Sequence, residues 1–226
     1  MKNEVLFEDN HILVINKMPS DIVQGDKTGD VCLVDIAKAY IKEKYHKPGE
    51  VFLGLVHRID RPVSGAVILA RTSKALSRLN EMLKNHEIKK TYWAVVKNKP
   101  PHEKGHLVNY LIKNEQKNKS FVVEPTQKGA LKAELNYTQI AQSDNYYLLE
   151  VELITGRHHQ IRAQLAKMGC PIKGDIKYGF DRTNKDASIH LHSRKIEMMH
   201  PVKKEPLCII APTPNDPIWN YFQKTV

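Results

Sequence analysis

His57-Arg58-Ile59-Asp60-Arg61-Pro62-Val63-Ser64-Gly65 runs straight into Ala66-Val67-Ile68-Leu69-Ala70-Arg71. One carboxylate, Asp60, stands among three bases, His57, Arg58 and Arg61, just after the apolar run Val51-Phe52-Leu53-Gly54-Leu55-Val56. Pro62 withholds an amide hydrogen and turns Arg61 away from helix, so the first run is expected to end here as a strand. Ser64-Gly65 reads as a turn, with the second run as the returning strand. Asp60 is thereby predicted on a stiff corner at a strand end, open to solvent or a ligand. An aspartate in that position can equally do no more than pair with a neighbouring arginine.

Working outward toward the N-terminus, Val5-Leu6-Phe7 and Ile12-Leu13-Val14-Ile15 flank the polar turn Glu8-Asp9-Asn10. They read as two short strands, the second buried on both faces. Val23-Gln24-Gly25-Asp26 with Gly29-Asp30 forms a Gly/Asp-rich loop, either an ordinary surface loop or a substrate-facing segment. Leu33, Val34, Ile36, Ala37, Tyr40, Ile41 and Tyr45 recur at helical spacing, with Asp30 as candidate N-cap and Pro48-Gly49 as the stop.

Toward the C-terminus, Thr72 or Ser73 caps a second helix bearing Ala75, Leu76, Leu79, Met82 and Leu83 on one face. Thr91-Tyr92-Trp93-Ala94-Val95-Val96 is a strand by composition. Residues 106–123 suggest a hairpin whose lysine- and asparagine-rich tip, 113–120, is either solvated and mobile or a phosphate grip. Residues 131–141 and 146–154 alternate apolar and polar around Ser143-Asp144-Asn145, as a long antiparallel hairpin does. A short helix over 158–168 is closed by Gly169. Ile161, Leu165 and Met168 form its apolar stripe, and Arg162 lies at the edge of it, where a guanidinium needs a carboxylate partner. Strands at 189–193, 195–199 and 207–210 and a helical turn at 218–222 complete the chain.

The 226 residues suit one large domain, or a domain with a small appendage, and 41% hydrophobic residues supply a core. No apolar run reaches membrane-spanning length, and the first residues lack a signal-peptide core, so a cytoplasmic protein without membrane attachment is expected. Cys32, Cys170 and Cys208 are far apart and form no C-x-x-C pair, which argues against a disulfide frame or a cysteine zinc site. Thirty-five Lys and Arg against 25 Asp and Glu give a net charge of +10, favouring a polyanionic partner such as nucleic acid. His158-His159 and His190-x-His192 lack metal-site company, and neighbouring histidines on a helix point apart, so core or RNA-contacting roles are the expectation and no metal is assigned. Ser64 has no G-x-S-x-G context, and no glycine-rich phosphate motif is present.

Three separated segments together resemble the RluA-type pseudouridine synthases. The opening stretch resembles their H-R-L-D-R-x-T-S-G signature, with Ile59 in place of Leu. Lys89-Lys90-Thr91-Tyr92 is similar to their K-x-Y strand. Gly156-Arg157-His158-His159-Gln160-Ile161-Arg162-Ala163-Gln164-Leu165 is similar to G-R-x-H-Q-I-R-x-x-L, and Gly169, Pro171-Ile172, Gly174-Asp175 and Tyr178-Gly179 follow as in that family. Asn16-Lys17-Met18-Pro19-Ser20 approaches N-K-P-x-G, with Met18 interposed and Asp21 where glycine is usual. The resemblance runs from about Glu8 to Pro212.

It implies a mixed α/β (α+β) fold, a largely antiparallel sheet with a few flanking helices and a central catalytic cleft, in one catalytic domain over residues 1–226. It also implies that the S4 RNA-binding domain common in the family is missing. The implied activity turns uridine in RNA into pseudouridine without metal or cofactor. Asp60 is the implied nucleophile or base, held ionised by Arg162, with Tyr92 packed on the target base. Ile161 and Leu165 wall the base pocket or simply fill the core. The target nucleotide must flip out of its stack. Arg58 is implied to fill the gap, and His57 and Arg61 join it as RNA-contacting residues. The expected partner is tRNA or ribosomal RNA, bound by a monomer. Two other readings stand beside this one: a non-catalytic RNA-binding or chaperone protein on the same fold, and a basic hydrolase using His158 or His190.

Overall fold

The structure, a computed structural model, describes residues 4–25 and 29–226, so Asp26 of the Gly/Asp-rich loop lies outside the described residues. By its internal contacts the chain forms two compact units, Met1–Ile88 with Ser193–Pro212, and Lys89–His192 with Thr213–Val226.

The first unit opens with the antiparallel pair β1 (Val5–Glu8) and β2 (Ile12–Lys17). Asp9 closes the connection, its Oδ1 accepting from the amides of His11 and Ile12 at 2.8 and 2.9 Å. Ile12, Leu13, Val14 and Ile15 are all fully buried, as a continuous apolar run predicts. α1 (Leu33–Lys44) is capped by Cys32 rather than Asp30, because Leu33 N is already bonded to Ile22 O at 2.8 Å and the chain turns helical only after it. The Asp30 carboxylate pairs with Arg61 instead.

β3 is only Gly54–Leu55, and β4 (Ser64–Ala70) is buried along its whole length, pairing antiparallel with β2 and, at its last two residues, with β3. Ser64-Gly65 is thus strand and not turn. The turn comes earlier, with Val63 N bonded to Asp60 O at 3.0 Å. Gly65 explains the shift. Its φ is +113°, and a Cβ there would collide with the Ser193 backbone, so glycine serves a close backbone approach within the sheet. α2 (Ser73–Lys84) is capped by Thr72, whose hydroxyl accepts from Ala75 N at 3.1 Å. Ala75, Leu79 and Met82 enter a core with Ile12, Val14, Ile68 and Ile196. A leucine buried as Leu79 is contributes about 1.5–3 kcal/mol.

In the second unit, β5 (Lys89–Val96), β6 (Lys104–Asn114), β7 (Lys119–Val123), β8 (Leu131–Gln142) and β9 (Tyr147–Leu153) lie in the order β5-β9-β8-β6-β7, all antiparallel. α3 (Gln160–Lys167) follows. β10 (Leu191–Met199) carries the chain from the second unit into the first without the break expected after Ser193, and there pairs with β11 (Pro206–Ile210). α4 (Pro217–Thr225) closes the chain. Because side chains alternate along a strand, Tyr92 faces the side where Leu111 and Ala133 meet Ala163 of α3. Trp93 and Val95 face the other side, against Trp219 and Phe222 of α4. The result is the expected mixed α/β architecture, with largely antiparallel strand pairing and four α-helices among the described residues.

Candidate active site

In the first unit, residues 56–63 form an irregular loop between β3 and β4. Its sequence alternates in depth: Ile59 and Val63 are buried, Arg58 and Arg61 are exposed, and Asp60 is half-buried. At its start the His57 ring nitrogen Nε2 accepts from the backbone amide of Ile68 at 3.1 Å. That nitrogen therefore carries a lone pair, so His57 anchors the loop to β4, beyond any contact it makes with RNA. At its end the Arg61 carbonyl accepts from Ser20 N at 3.0 Å and from the Lys17 ammonium at 3.1 Å. Ser20 presents that amide from a left-handed backbone, φ 76°. The Arg61 guanidinium meets Asp30 at 2.8 Å, with both side chains half exposed, an arrangement worth under about 1 kcal/mol.

Lys17 is the feature the sequence reading passed over. It ends β2 with no exposed surface at all, and its Nζ also donates to Met18 O and Asp21 O, each at 2.8 Å. An ammonium has three hydrogens, and here three carbonyls take them. Burial pushes its pKa down from 10.5 to about 8, while the negative charges of Asp21 and Asp60 pull it up and Arg61 pushes it down. A lysine closing a strand that opens on four consecutive apolar residues, next to a turn, was the available signal.

In the second unit every α3 residue from Gln160 to Leu165 is buried. Arg162 is accordingly enclosed, at 5% exposure, and not at the rim of a stripe. The helix tolerates this because its buried polar side chains find partners, Gln164 Oε1 excepted. Gln160 accepts from Thr155 Oγ1 at 2.8 Å and from Arg157 N at 2.9 Å, and Gln164 Nε2 donates to Asn109 Oδ1 at 2.9 Å and Ala133 O at 3.2 Å. Arg162 itself forks onto Asp175, Nε to Oδ2 at 2.7 Å and Nη2 to Oδ1 at 2.9 Å, while Nη1 donates to His159 Nε2 at 3.0 Å. Asp175 and His159 thus take three of its five N–H donors. Asp175 appears in the sequence only as part of a glycine-flanked loop, and nothing local marks it as the guanidinium's carboxylate. Ile161 and Leu165 are buried at 4% and 0% exposure, and Tyr92 at 6%.

His158 and His159 do not point apart. His159 is the N-cap at φ 52°, outside the helical spiral, and the two rings stack with centroids 3.8 Å apart. Both histidines of the hydrolase reading are tied into hydrogen bonds. His158 bonds Ser120 Oγ at 2.8 Å, whose hydroxyl is donated to the His158 carbonyl at 2.7 Å. His190 lies between Asp216 and Asn184, each at 3.0 Å. The basic hairpin tip is docked: Lys119 donates to Lys177 O, and Lys177 donates to Asn118 O at 3.1 Å. No helix among the described residues is long and apolar enough to cross a membrane.

The sequence model described as RNA pseudouridylate synthase matches residues 11–167. The chain is 34% identical to the ribosomal large subunit pseudouridine synthase C of Buchnera aphidicola, over 99% of this chain and 71% of that protein. It is 32% identical to an uncharacterized RNA pseudouridine synthase of Bacillus subtilis, over 94% of this chain and 69% of that one. It spans 65% of the length of a similar uncharacterized RNA pseudouridine synthase of Synechocystis. Among solved structures, human RNA Pseudouridylate Synthase Domain Containing 4 shares the fold, with a TM-score of 0.82 at 22% identity over 98% of this chain and 93% of that one.

Proposed function

The chain belongs to the RNA pseudouridylate synthase family, and from that premise we propose that it isomerises uridine to pseudouridine in RNA with Asp60 carrying the chemistry. The bond from N1 to C1′ breaks, the base turns, and C5 joins C1′. The proton lost from C5 is balanced by one gained at N1, so the change is a redox-neutral isomerisation that asks for no cofactor. Asp60 acts as nucleophile or base, Arg162 as the cation that keeps it ionised, and Tyr92 as the ring against the target base. Ile161 and Leu165 line the base pocket. Arg58, exposed on the same loop as Asp60, fills the stack vacated by the flipped nucleotide. The two units work as one catalytic domain, in a cytoplasmic monomer acting on tRNA or ribosomal RNA. The names of several relatives favour ribosomal RNA.

The observation that carries this reading is the family match across residues 11–167, a span that contains Asp60, Tyr92 and Arg162 together. Support comes from the fixing of the Asp60 loop by Lys17 and His57 and of the Arg162 guanidinium by Asp175, since preorganised charge is what such a reaction needs. Tritium release from RNA carrying [5-³H]uridine tests it. Asp60→Asn should abolish release while RNA binding stays within about a few-fold, because affinity comes mainly from phosphate contacts. Turnover by the Asn variant would sink the assignment. RNA binding without tritium release by the unaltered protein would favour a chaperone instead.

A further inference from the structure

The β6–β7 hairpin and the Arg162 guanidinium are joined by two side chains to which neither the family match nor the relatives' names assign a role. The Tyr178 hydroxyl stands at the centre. It accepts from Ser120 N on β7 at 2.9 Å and donates to Ser120 O at 3.2 Å. It also bonds His159 Nδ1 at 3.0 Å, and His159 Nε2 in turn meets Arg162 Nη1 at 3.0 Å. Hydrogen placement follows from chemistry. A guanidinium only donates, so Nε2 must hold a lone pair and Nδ1 the hydrogen, which it gives to the tyrosine oxygen. Burial first, and then the charge of Arg162, hold the His159 pKa down to about 2, so the ring stays neutral in this one tautomer at any working pH. The Tyr178 ring meanwhile lies under two cations, Arg162 with its Cζ at 5.1 Å and Lys119 of the hairpin at 4.8 Å.

We infer that His159 and Tyr178 are positioning residues that set the angle of the Arg162 guanidinium and make it depend on the seating of the β6–β7 hairpin. The conformation of His159 supports this. A histidine at φ 52° is uncommon, and here the left-handed turn is what places its ring between Arg162 and Tyr178 rather than along the helix. The hairpin tip carries Lys113, Lys117 and Lys119, so a phosphate drawn to it acts on the strand whose Ser120 backbone holds the tyrosine. The inference rests on the assignment of Arg162 in the proposed function.

Single-turnover tritium release at saturating enzyme, together with RNA affinity, tests it in the full chain. Tyr178→Phe keeps the ring over Arg162 and removes only the hydroxyl. His159→Asn keeps a residue at ease with positive φ but too short to span both partners. Each should lower the rate about tenfold and leave RNA affinity within about twofold, a factor of ten being about 1.4 kcal/mol. The decisive arm is the cycle with Arg162→Lys. If Tyr178 acts through the guanidinium, Tyr178→Phe adds little loss in that background; a merely structural role would multiply the losses. Multiplied losses, or a Tyr178→Phe rate within twofold of wild type, overturn the inference while leaving Arg162 assigned. A wild-type rate for Arg162→Lys removes the assignment itself, and the inference with it. Should Tyr178→Phe fail to fold, nitrogen NMR of histidine-labelled wild type still decides: the Nδ1–H tautomer without titration is expected, and a titrating His159 ring refutes it.

Discussion

Replacing Lys17 with methionine removes an ammonium while keeping the length of the side chain. Three partly buried carbonyls, Met18, Asp21 and Arg61, lose a donor, at about 1–3 kcal/mol each if left unmet. The variant also escapes holding a charge out of water. The fall of the Lys17 pKa from 10.5 to about 8 sets that gain at roughly 3 kcal/mol. A net loss of about 3 kcal/mol follows, lowering Tm by about 6–12 °C for a chain of this size. The effect on the Asp60 loop is separable. Arg61 O keeps its bond from Ser20 N but loses a charged donor, worth about 1.5–3 kcal/mol, so the clamped loop becomes roughly 10- to 100-fold less populated. Single-turnover tritium release, measured well below the variant's Tm, should fall by that factor with RNA affinity nearly unchanged. The pH dependence gives a second check. Lys17 binds fewer protons folded than unfolded between pH 8 and 10.5, so the stability of wild type relative to Lys17→Met should rise through that window. The rate advantage should shrink over the same range, because a neutral amine has two hydrogens for three carbonyls. A fully folded Lys17→Met enzyme with the wild-type rate refutes the clamp.

Arg58→Ala should slow release from a structured stem-loop far more than from a short unstructured RNA, since unstacking costs a few kcal/mol only where the target is stacked; equal losses would make Arg58 a phosphate anchor. Asp175→Asn strips a buried guanidinium of its bidentate carboxylate and should lower stability by about 3–5 kcal/mol. Thermal unfolding that moves by less than about 2 °C would mean that Arg162 is balanced by other groups.

What could be read from the sequence was what is encoded locally. The wholly apolar runs of β2 and β4, the alternation of β8 and β9 and the Thr72 cap each depend on residues a few positions apart, and the structure has them all. Ser64-Gly65 misled because a turn-like composition was serving a contact with Ser193, which lies far along the chain. His158-His159 misled for a related reason: helical geometry separates neighbours by about 100°, but His159 stands just outside the helix at φ 52°. The partners of Lys17 and Arg162 were hidden because carbonyls carry no sequence signature, and because Asp175 meets Arg162 only once the loop after α3 has folded back.

The amide of Ile68 lies in the middle of a strand buried along its length, where exchange with solvent would ordinarily report only on global unfolding. Its hydrogen is instead given to the ring of His57, on the loop that carries Asp60. Lifting that loop uncovers this one proton while the rest of β4 stays protected, and a proton placed on the ring nitrogen has the same effect. The protein thus contains a natural clock for its own loop: the exchange rate of a single core amide, compared with those of its neighbours, measures how often the loop opens.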